Sequence, residues 1–273
     1  MTVEDVLIIK LGGSLLTDKS IPYRLKEEKI EEIAAELKEC IDLELIKNLV
    51  IIHGVGSFGH PPVLKYNLHK GFQGKDQLIH LSETQQIVNK LRRTIVSKFF
   101  AEGIPVNLMH ASSMVVGDKM KIVENIFDSL KGFLSLGMVP LIGGDIMYDK
   151  SMGFSICSGD LLAVTLSQQL NPRYLIFATD VPGVFDKDPK LGKDAKLIKE
   201  INISQIDTLL NELSSSSQSD ASGRMKGKLQ SISLIKDEIY QGLDVAILSM
   251  SERGNLKKYL KGEEIPLTKI ISN

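Results

Sequence analysis

The segment VLIIKLGGS, residues 6–14, decides the fold class of this 273-residue chain. Its first six residues are apolar except for Lys10, a composition typical of a strand buried on both faces of a parallel sheet. Gly12 and Gly13 follow the strand, where backbone N–H groups can turn towards a ligand without steric hindrance from a Cβ. A lysine beside such a turn predicts a phosphate site. Taken alone, a Gly-Gly-Ser turn is more often structural, and this one matches neither the dinucleotide fingerprint nor a Walker A loop.

Short apolar, β-branched runs alternate along the chain with longer segments of helical period. This alternation predicts an α/β fold with a largely parallel sheet. The predicted strands are 6–11, 49–53, 105–109, 139–142, 174–179 and 244–250. The predicted helices are 27–41, 82–102, 161–170 and 225–240, and residues 145–157 are predicted to form a β-hairpin after the fourth strand.

Composition and charge exclude several classes of protein. The chain has 33 Lys and Arg against 34 Asp and Glu, and its net charge of −1 provides no global field for holding a nucleic acid. Cys40 and Cys157 are too few for a disulfide framework, and without a Cys/His cluster for zinc they indicate a reducing, cytoplasmic compartment. The first residues do not fit a signal peptide, and no apolar run is long enough to span a membrane.

A second glycine-rich segment, HGVGSFGH at residues 53–60, follows the second predicted strand. It has three glycines in six residues at the carboxyl end of a strand, which is where open α/β sheets bind their ligands. The segment suits a second phosphate, and His60 at its end is placed to donate a hydrogen bond to a phosphate oxygen. His53, at the strand end, is interpreted as a structural residue that satisfies backbone groups.

Three further segments contain candidate groups. Ser158-Gly159-Asp160 opens a predicted helix, where Ser158 suits an N-cap and Asp160 the helix dipole, and a phosphate would be favoured by the same field. Residues 179–189 form a strand end and a Pro- and Gly-rich loop, either an ordinary turn or a ligand loop. The serine-rich stretch 214–223, before a basic helix start at 224–228, is either an inert linker or a moving phosphate-contacting loop. The segment GRMKGKL at 223–229 is not a P-loop, because it has one residue too few between its glycines and ends in Leu where a P-loop has Ser or Thr.

Together these segments resemble the amino acid kinase superfamily. The motifs that carry the resemblance are KLGGS at 10–14, HGVGSFGH at 53–60, SGD at 158–160, TDVPGVFDKDP at 179–189 and DASGRMKGKL at 220–229. Within the superfamily, GGSLLTDK, HGVGSFGHP and KYNLHKGF resemble the isopentenyl phosphate kinase family. GSFGH is the discriminating motif, because members that phosphorylate carboxylates or carbamate lack its histidine.

The resemblance implies a three-layer αβα sandwich with a mainly parallel central sheet, the amino acid kinase fold, in a single domain over residues 1–273. It also implies an acceptor-binding lobe at about 1–170, a nucleotide-binding lobe at about 171–273, and a homodimer. The implied reaction is transfer of the γ-phosphoryl group of ATP, with Mg²⁺, to isopentenyl phosphate or to dimethylallyl phosphate, in isoprenoid biosynthesis by an alternative mevalonate route. A phosphate acceptor is already a good nucleophile at neutral pH, so no general base is needed.

The resemblance assigns roles to residues across the whole chain. The implied catalytic set is Lys10, Lys19, Lys228, His60 and Asp160, with Asp160 orienting Lys10 and Lys228. The implied nucleotide-binding set is Lys10, Gly12, Gly13, Ser14, Lys19, Thr179, Asp180, Gly183, Val184, Phe185, Asp188, Gly223, Met225 and Lys228. The implied acceptor-binding set is Gly54, Val55, Gly59, His60 and Gly159, with Ile87, Ile146 and Ile156 as walls of an apolar pocket. Arg224 departs from the superfamily pattern, which has a flexible glycine there.

Two alternative functions stay open at this point. The first is a related kinase with another phosphate or phosphonate acceptor, of the fosfomycin kinase type, because GSFGH would bind the phosphate and leave the rest of the acceptor unspecified. The second is a non-catalytic nucleotide sensor with the same fold. A sensor is expected to have lost a transfer lysine, whereas Lys10, Lys19 and Lys228 are all present.

Overall fold

The computed structural model describes residues 3–18, 20–187, 195–215 and 222–272, apart from the side chains of 212–215 and 222–224. The strands are Val6–Leu11 (β1), Asn48–His53 (β2), Val106–Leu108 (β3), Val115–Asp118 (β4), Lys121–Asn125 (β5), Val139–Gly143 (β6), Asp145–Asp149 (β7), Gly153–Cys157 (β8), Tyr174–Thr179 (β9), Val184–Phe185 (β10), Leu197–Ile198 (β11), Glu200–Asn202 (β12), Asp244–Ser249 (β13) and Leu267–Ile271 (β14). The helices are Gly13–Leu16 (α1), Glu27–Asp42 (α2), Gly56–Lys65 (α3), Gln77–Ala101 (α4), Asp128–Ser135 (α5), Gly159–Leu170 (α6), Ile206–Ser215 (α7), Ser222–Ile232 (α8), Lys236–Tyr240 (α9) and Asn255–Leu260 (α10).

The central sheet contains eight strands in the order β12-β14-β13-β9-β1-β2-β6-β3, and among them only the β13–β14 pair is antiparallel. The prediction of an α/β fold with a mainly parallel sheet is therefore confirmed. Each predicted strand is present, with ends that differ by at most one residue. Because β1 lies between β9 and β2, the carboxyl ends of these strands meet at one edge of the sheet.

Both faces of the sheet are covered by helices, which gives the three layers. On β1, Val6 and Ile8 belong to one buried cluster with residues of α6 and α8, whereas Leu7 and Ile9 belong to a second with residues of α2 and α4. Successive side chains on a strand point to opposite faces. Lys10 therefore projects to the same side as Val6 and Ile8, towards α6 and α8.

A smaller sheet, in the order β5-β4-β7-β8, contains the predicted hairpin 145–157 as the antiparallel pair β7–β8. Its two tight turns depend on the buried Asp149, whose carboxylate accepts hydrogen bonds from the backbone N–H groups of Lys119, Met120, Ser151 and Met152 and from the Ser155 hydroxyl. Burial alone would raise the pKa of Asp149, but these hydrogen bonds outweigh it and lower the pKa to about 2.

The predicted helix 225–240 is wrong as one continuous element. It is divided into α8, a 3-10 turn at Ser233–Ile235 and α9. The hydroxyls of Ser231 and Ser233 donate to the carbonyls of Gly227 and Gln230, and such bonds compete with the helical ladder and bend helices. The helix predicted from residue 82 begins earlier, at Gln77. Over the described residues, no helix combines the length and apolar character needed to cross a bilayer.

Candidate active site

Two glycine loops lie in direct backbone contact at the carboxyl edge of the sheet. The first glycine loop, residues 12–14, follows β1, and the second glycine loop, residues 54–59, follows β2. A Cβ added at Gly13 would lie 2.5 Å from the Gly56 nitrogen, and one added at Gly54 would lie 2.7 Å from the Gly13 nitrogen. Gly56 also has a φ of 47°, which favours glycine. Only glycines allow this approach, so the loops form one continuous backbone surface.

Three charged side chains converge beside the first glycine loop. The ammonium groups of Lys10, from β1, and Lys228, from α8, lie 2.8 Å and 3.0 Å from the same oxygen, Oδ1 of Asp160, in the first turn of α6. The Lys228 ammonium also lies 4.5 Å from the centroid of the Phe177 ring, a favourable cation–π distance. The lysine side chains are only 10% and 6% exposed.

Burial and charge act in opposite directions on this cluster. Burial disfavours the Asp160 carboxylate, but the charges of Lys228 and Lys10 outweigh burial and hold its pKa below the ordinary range. Burial also lowers the pKa of Lys228 to about 8, against the attraction of Asp160 and with the repulsion of Lys10. Two ammonium groups sharing one carboxylate leave a positive excess in a water-poor site, which suits a polyanion.

The start of α6 extends the anion-binding surface. Ser158 is the N-cap, because its hydroxyl oxygen accepts a hydrogen bond from the Leu161 nitrogen at 3.0 Å. A Cβ added at Gly159 would lie 3.2 Å from the His53 carbonyl oxygen and 3.3 Å from Cε of Lys10. The amino terminus of α6, with its positive dipole end, therefore adjoins both Lys10 and the strand end that leads into the second glycine loop.

His60 lies on α3 at the end of the second glycine loop. Its Nδ1 is 2.6 Å from the Gly56 carbonyl oxygen, which can only accept, so Nδ1 is the protonated ring nitrogen in this contact. Gly59, one residue earlier, lies close to Val55, so that a Cβ added at Gly59 would be 2.3 Å from Val55 Cγ2.

His53 is fully buried at the end of β2, and burial lowers its pKa to about 3, consistent with a neutral structural residue.

The loop after β9 adjoins the first glycine loop from the other side. The Ser14 hydroxyl donates to Oδ1 of Asp180 at 2.7 Å, and the Thr179 hydroxyl donates to the Val181 carbonyl at 2.6 Å. Gly183 lies against the buried Thr268 of β14, whose Oγ1 would be 2.2 Å from an added Cβ. Val184 and Phe185 form β10, paired with β11, and Met225 packs on the cluster shared by α6 and α8.

Lys19 and Asp188 lie outside the described residues, and Gly223 is in the part of α8 whose side chains are not described.

The predicted wall residues divide between two apolar clusters. Ile146 and Ile156 belong to a small cluster with Leu68, Phe154, Val63, Tyr66 and Leu81, which we call the hairpin cluster. Ile87 instead packs against the large cluster shared by β1, α2 and α4. Sequence reasoning did not identify Leu68 and Tyr66, although both lie in the KYNLHKGF segment.

A buried ion pair beneath the second glycine loop was also missed. Arg92, in α4, has a side chain that is 1% exposed; it lies 2.9 Å from Asp145 Oδ2 and donates to the Gly144 carbonyl at 3.0 Å. Gly144 in turn donates to the His53 carbonyl and lies near Val55 and Gly159. Helical spacing could have identified Arg92, because it lies three residues before Ile95 and seven before Phe99, on the buried face of α4.

Glycine amides and ammonium groups at the carboxyl edge of a parallel sheet bind phosphates, so fold and site together define a phosphate-binding α/β protein. The amino acid kinase family matches residues 5–248. Isopentenyl phosphate kinase of Methanothermobacter thermautotrophicus is 32% identical over 97% of this chain and 98% of its own length. That of Methanocaldococcus jannaschii is 34% identical over 94% of this chain and 95% of its own.

A solved structure described as "X-ray structures of isopentenyl phosphate kinase" superposes with a TM-score of 0.82, at 30% identity, over 97% of this chain and 99% of that one. The chain therefore belongs to the amino acid kinase family and, within it, to the isopentenyl phosphate kinases. Its fold is the amino acid kinase fold, as the sequence motifs implied.

Proposed function

We propose that this protein transfers the γ-phosphoryl group of ATP to isopentenyl phosphate, giving isopentenyl diphosphate and ADP. The observation that supports this most directly is the cluster of Lys10, Lys228 and Asp160 beside two glycine loops in backbone contact. Two anions must approach each other in this reaction, and the cluster supplies the positive charge that opposes their repulsion. The names of the relatives point to the same acceptor.

In the proposed arrangement the nucleotide lies on the side of β9 and α8. The amides of Gly12 and Gly13 line the path of the transferred group, Lys10 bridges donor and acceptor, and Lys228 binds the β- and γ-phosphates. Ser14, Thr179 and Asp180 form the adjoining wall, with residues 183–185 towards the adenosine. In this arrangement the lobe at about 171–273 supplies the β9 and α8 side of the nucleotide site, and the lobe at about 1–170 supplies the acceptor site together with Lys10 and the first glycine loop.

The acceptor phosphate is proposed to bind the second glycine loop, the amide of Gly159 and the imidazole of His60. Asp160 orients the two lysines and takes no direct part in the chemistry, because its carboxylate is already bound by both ammonium groups. No general base is required, since the acceptor oxygen is anionic at neutral pH.

Mg²⁺ is proposed as the cofactor of the nucleotide. The described residues contain no group of three or more His, Cys, Asp or Glu side chains placed to hold a metal ion, and Asp160 is occupied by ammonium groups. Magnesium bound to ATP commonly keeps several waters and takes few protein ligands, so in this proposal the phosphate oxygens of the nucleotide would be its main ligands. The charge of Mg²⁺ would then add to that of the lysines.

The pKa of Lys228 predicts a pH dependence of nucleotide affinity. Its ammonium group, with a pKa of about 8, must be charged to bind a polyphosphate, so bound ATP raises that pKa. Above about pH 8 binding therefore takes up a proton, and the Kd for ATP is expected to rise by as much as about tenfold per pH unit. The arginine in Lys228→Arg stays charged over this range, so the Kd of this variant for ATP is expected to change little with pH. Titration calorimetry between pH 7 and 10 tests this, and an equally steep profile in both proteins would contradict it.

The hairpin cluster is proposed to contact the prenyl tail. Ile146 and Ile156 sit on the hairpin that starts directly after Gly144, close to the second glycine loop. We expect Ile146→Ala to raise kcat/KM for geranyl phosphate, relative to isopentenyl phosphate, by about tenfold, because it opens space for several further methylene groups. Ile87→Ala, in the other cluster, is expected to change this ratio less. If the ratio of kcat/KM for geranyl phosphate to kcat/KM for isopentenyl phosphate is the same in wild type and Ile146→Ala, the hairpin cluster does not contact the tail.

The proposal is tested by coupled ADP release with isopentenyl, dimethylallyl and geranyl phosphates, fosfomycin and amino acids as acceptors. We expect the highest kcat/KM with isopentenyl phosphate and measurable turnover of dimethylallyl phosphate. A preference for fosfomycin would support the alternative phosphonate kinase. ATP binding without turnover of any acceptor would support a sensor. The homodimer, the cytoplasmic location and the place in isoprenoid biosynthesis stay predictions.

A further inference from the structure

Thr17 connects the two glycine loops through a single buried hydroxyl. It follows α1 and is fully buried. Its Oγ1 donates to the Gly13 carbonyl at 2.8 Å and accepts from the Ser57 backbone nitrogen at 2.9 Å. This one hydroxyl therefore hydrogen-bonds to both loops. A Cβ added at Gly56 would lie 2.1 Å from the same oxygen, so the hydroxyl fills the space that this glycine leaves.

We propose that Thr17 is a positioning residue that sets the spacing between the donor and acceptor phosphates. This inference rests on the proposed function, because it assigns the first glycine loop to ATP and the second to the acceptor. Backbone contact between Gly13 and Gly56 limits how closely the loops approach. The Gly54 N–H donates to the Leu11 carbonyl at 2.8 Å and joins the loops at their strand ends, and beyond that bond the Thr17 hydroxyl connects Gly13 to Ser57.

The geometry of phosphoryl transfer makes this spacing important. Reacting atoms are held about 3–3.5 Å apart in a productive complex, and a displacement of about 1 Å can cost about 100-fold in rate. Without the hydroxyl, the Ser57 N–H becomes a buried donor with no partner, at a cost of about 1–3 kcal/mol, so the second loop is driven to shift. Each loop would retain its own amides and would still bind its own phosphate.

The expected signature is therefore a loss of kcat with little change in binding. In Thr17→Val, a change that preserves volume, we expect kcat to fall about 100-fold, while KM for ATP and for isopentenyl phosphate each change less than about threefold. Thr17→Ser keeps the hydroxyl and is expected to stay within about threefold of the wild-type kcat. A residue that only packed would show the opposite order, because Ser loses the methyl group that Val retains.

The matched control is Ser167→Ala. Ser167 is also fully buried, and its hydroxyl donates to the Val164 carbonyl at 2.8 Å, but it lies in the last turn of α6, about two helical turns from Gly159. We expect it to lower the melting temperature comparably and to leave kcat unchanged. If Thr17→Val does not fold, Thr17→Cys takes its place, since a thiol of similar size makes only weak hydrogen bonds.

The outcomes separate this inference from the proposed function. Wild-type turnover of isopentenyl phosphate with kcat retained in Thr17→Val would overturn the positioning role and leave the function standing. A preference of the wild type for another acceptor would overturn the function, and the kcat comparison would then be made with that acceptor. A proportional rise in both KM values at unchanged kcat, or an absence of turnover with every acceptor, would overturn the inference.

Discussion

Replacement of Lys10 by methionine is expected to lower kcat about 1,000-fold. Lys10 lies near the end of β1, just before the first glycine loop, and its side chain adjoins the amino terminus of α6. In the proposed reaction it is the group closest to the charge that develops on the transferred phosphoryl. Methionine retains most of the apolar stem, so this substitution tests the charge.

The fold is expected to survive this substitution. Asp160 keeps Lys228 as a partner, so no buried carboxylate is left uncompensated. Lys98→Met is the control, because Lys98 is a more exposed lysine paired with Glu27 and Glu31 on the helix surface and is expected to have no effect on kcat. Single-turnover measurements with saturating ATP and isopentenyl phosphate would isolate the chemical step. A Lys10→Met rate within about threefold of wild type would remove Lys10 from the transfer.

Replacement of His60 by alanine is expected to raise KM for isopentenyl phosphate about 100-fold and to leave the Kd for ATP unchanged. The imidazole is held on α3 through its Nδ1–H, which donates to the Gly56 carbonyl, so Nε2 donates to the phosphate in the imidazolium form. Loss of the ring removes this charge-assisted hydrogen bond, worth about 1.5–3 kcal/mol. His60→Gln is expected to retain part of the activity, because its amide can still donate.

The control for His60 is His69→Ala, since His69 is an exposed histidine in the 3-10 turn Leu68–Lys70 and is expected to behave as wild type. Steady-state kinetics in the acceptor, together with calorimetry of ATP binding, separates the two substrates. Equal losses of acceptor and ATP affinity would contradict the role assigned to His60.

The sequence is sufficient to predict the architecture because its main strands are buried on both faces. Runs such as residues 6–11 and 174–179 are almost uniformly apolar, and the Gly-rich turns after them mark the carboxyl edge of the sheet. The two strands missed in the central sheet, β12 and β14, lack this signature. β12 has three residues, and β14 alternates buried and partly buried positions.

The candidate site is only partly predictable, because its remaining contacts join residues far apart in the chain. The Arg92–Gly144 bond spans 52 positions and the Thr17–Ser57 bond spans 40. A helical stripe shows that Ile87 faces inward, but it does not show which of two cores it meets. Lys10 and Asp160 were identifiable because each stands in a short local motif, KLGGS at 10–14 and SGD at 158–160, that resembles the amino acid kinase superfamily.

The most direct test of the whole account is a crystal structure with a non-hydrolysable ATP analogue and isopentenyl phosphate bound together. We expect the γ-phosphate to contact Lys10 and the first glycine loop. An acceptor oxygen should lie about 3–3.5 Å from the γ-phosphorus, and His60 should be within hydrogen-bonding distance of the acceptor phosphate. Phosphates bound in separate places, with the second glycine loop and His60 in contact with neither ligand, would contradict the account.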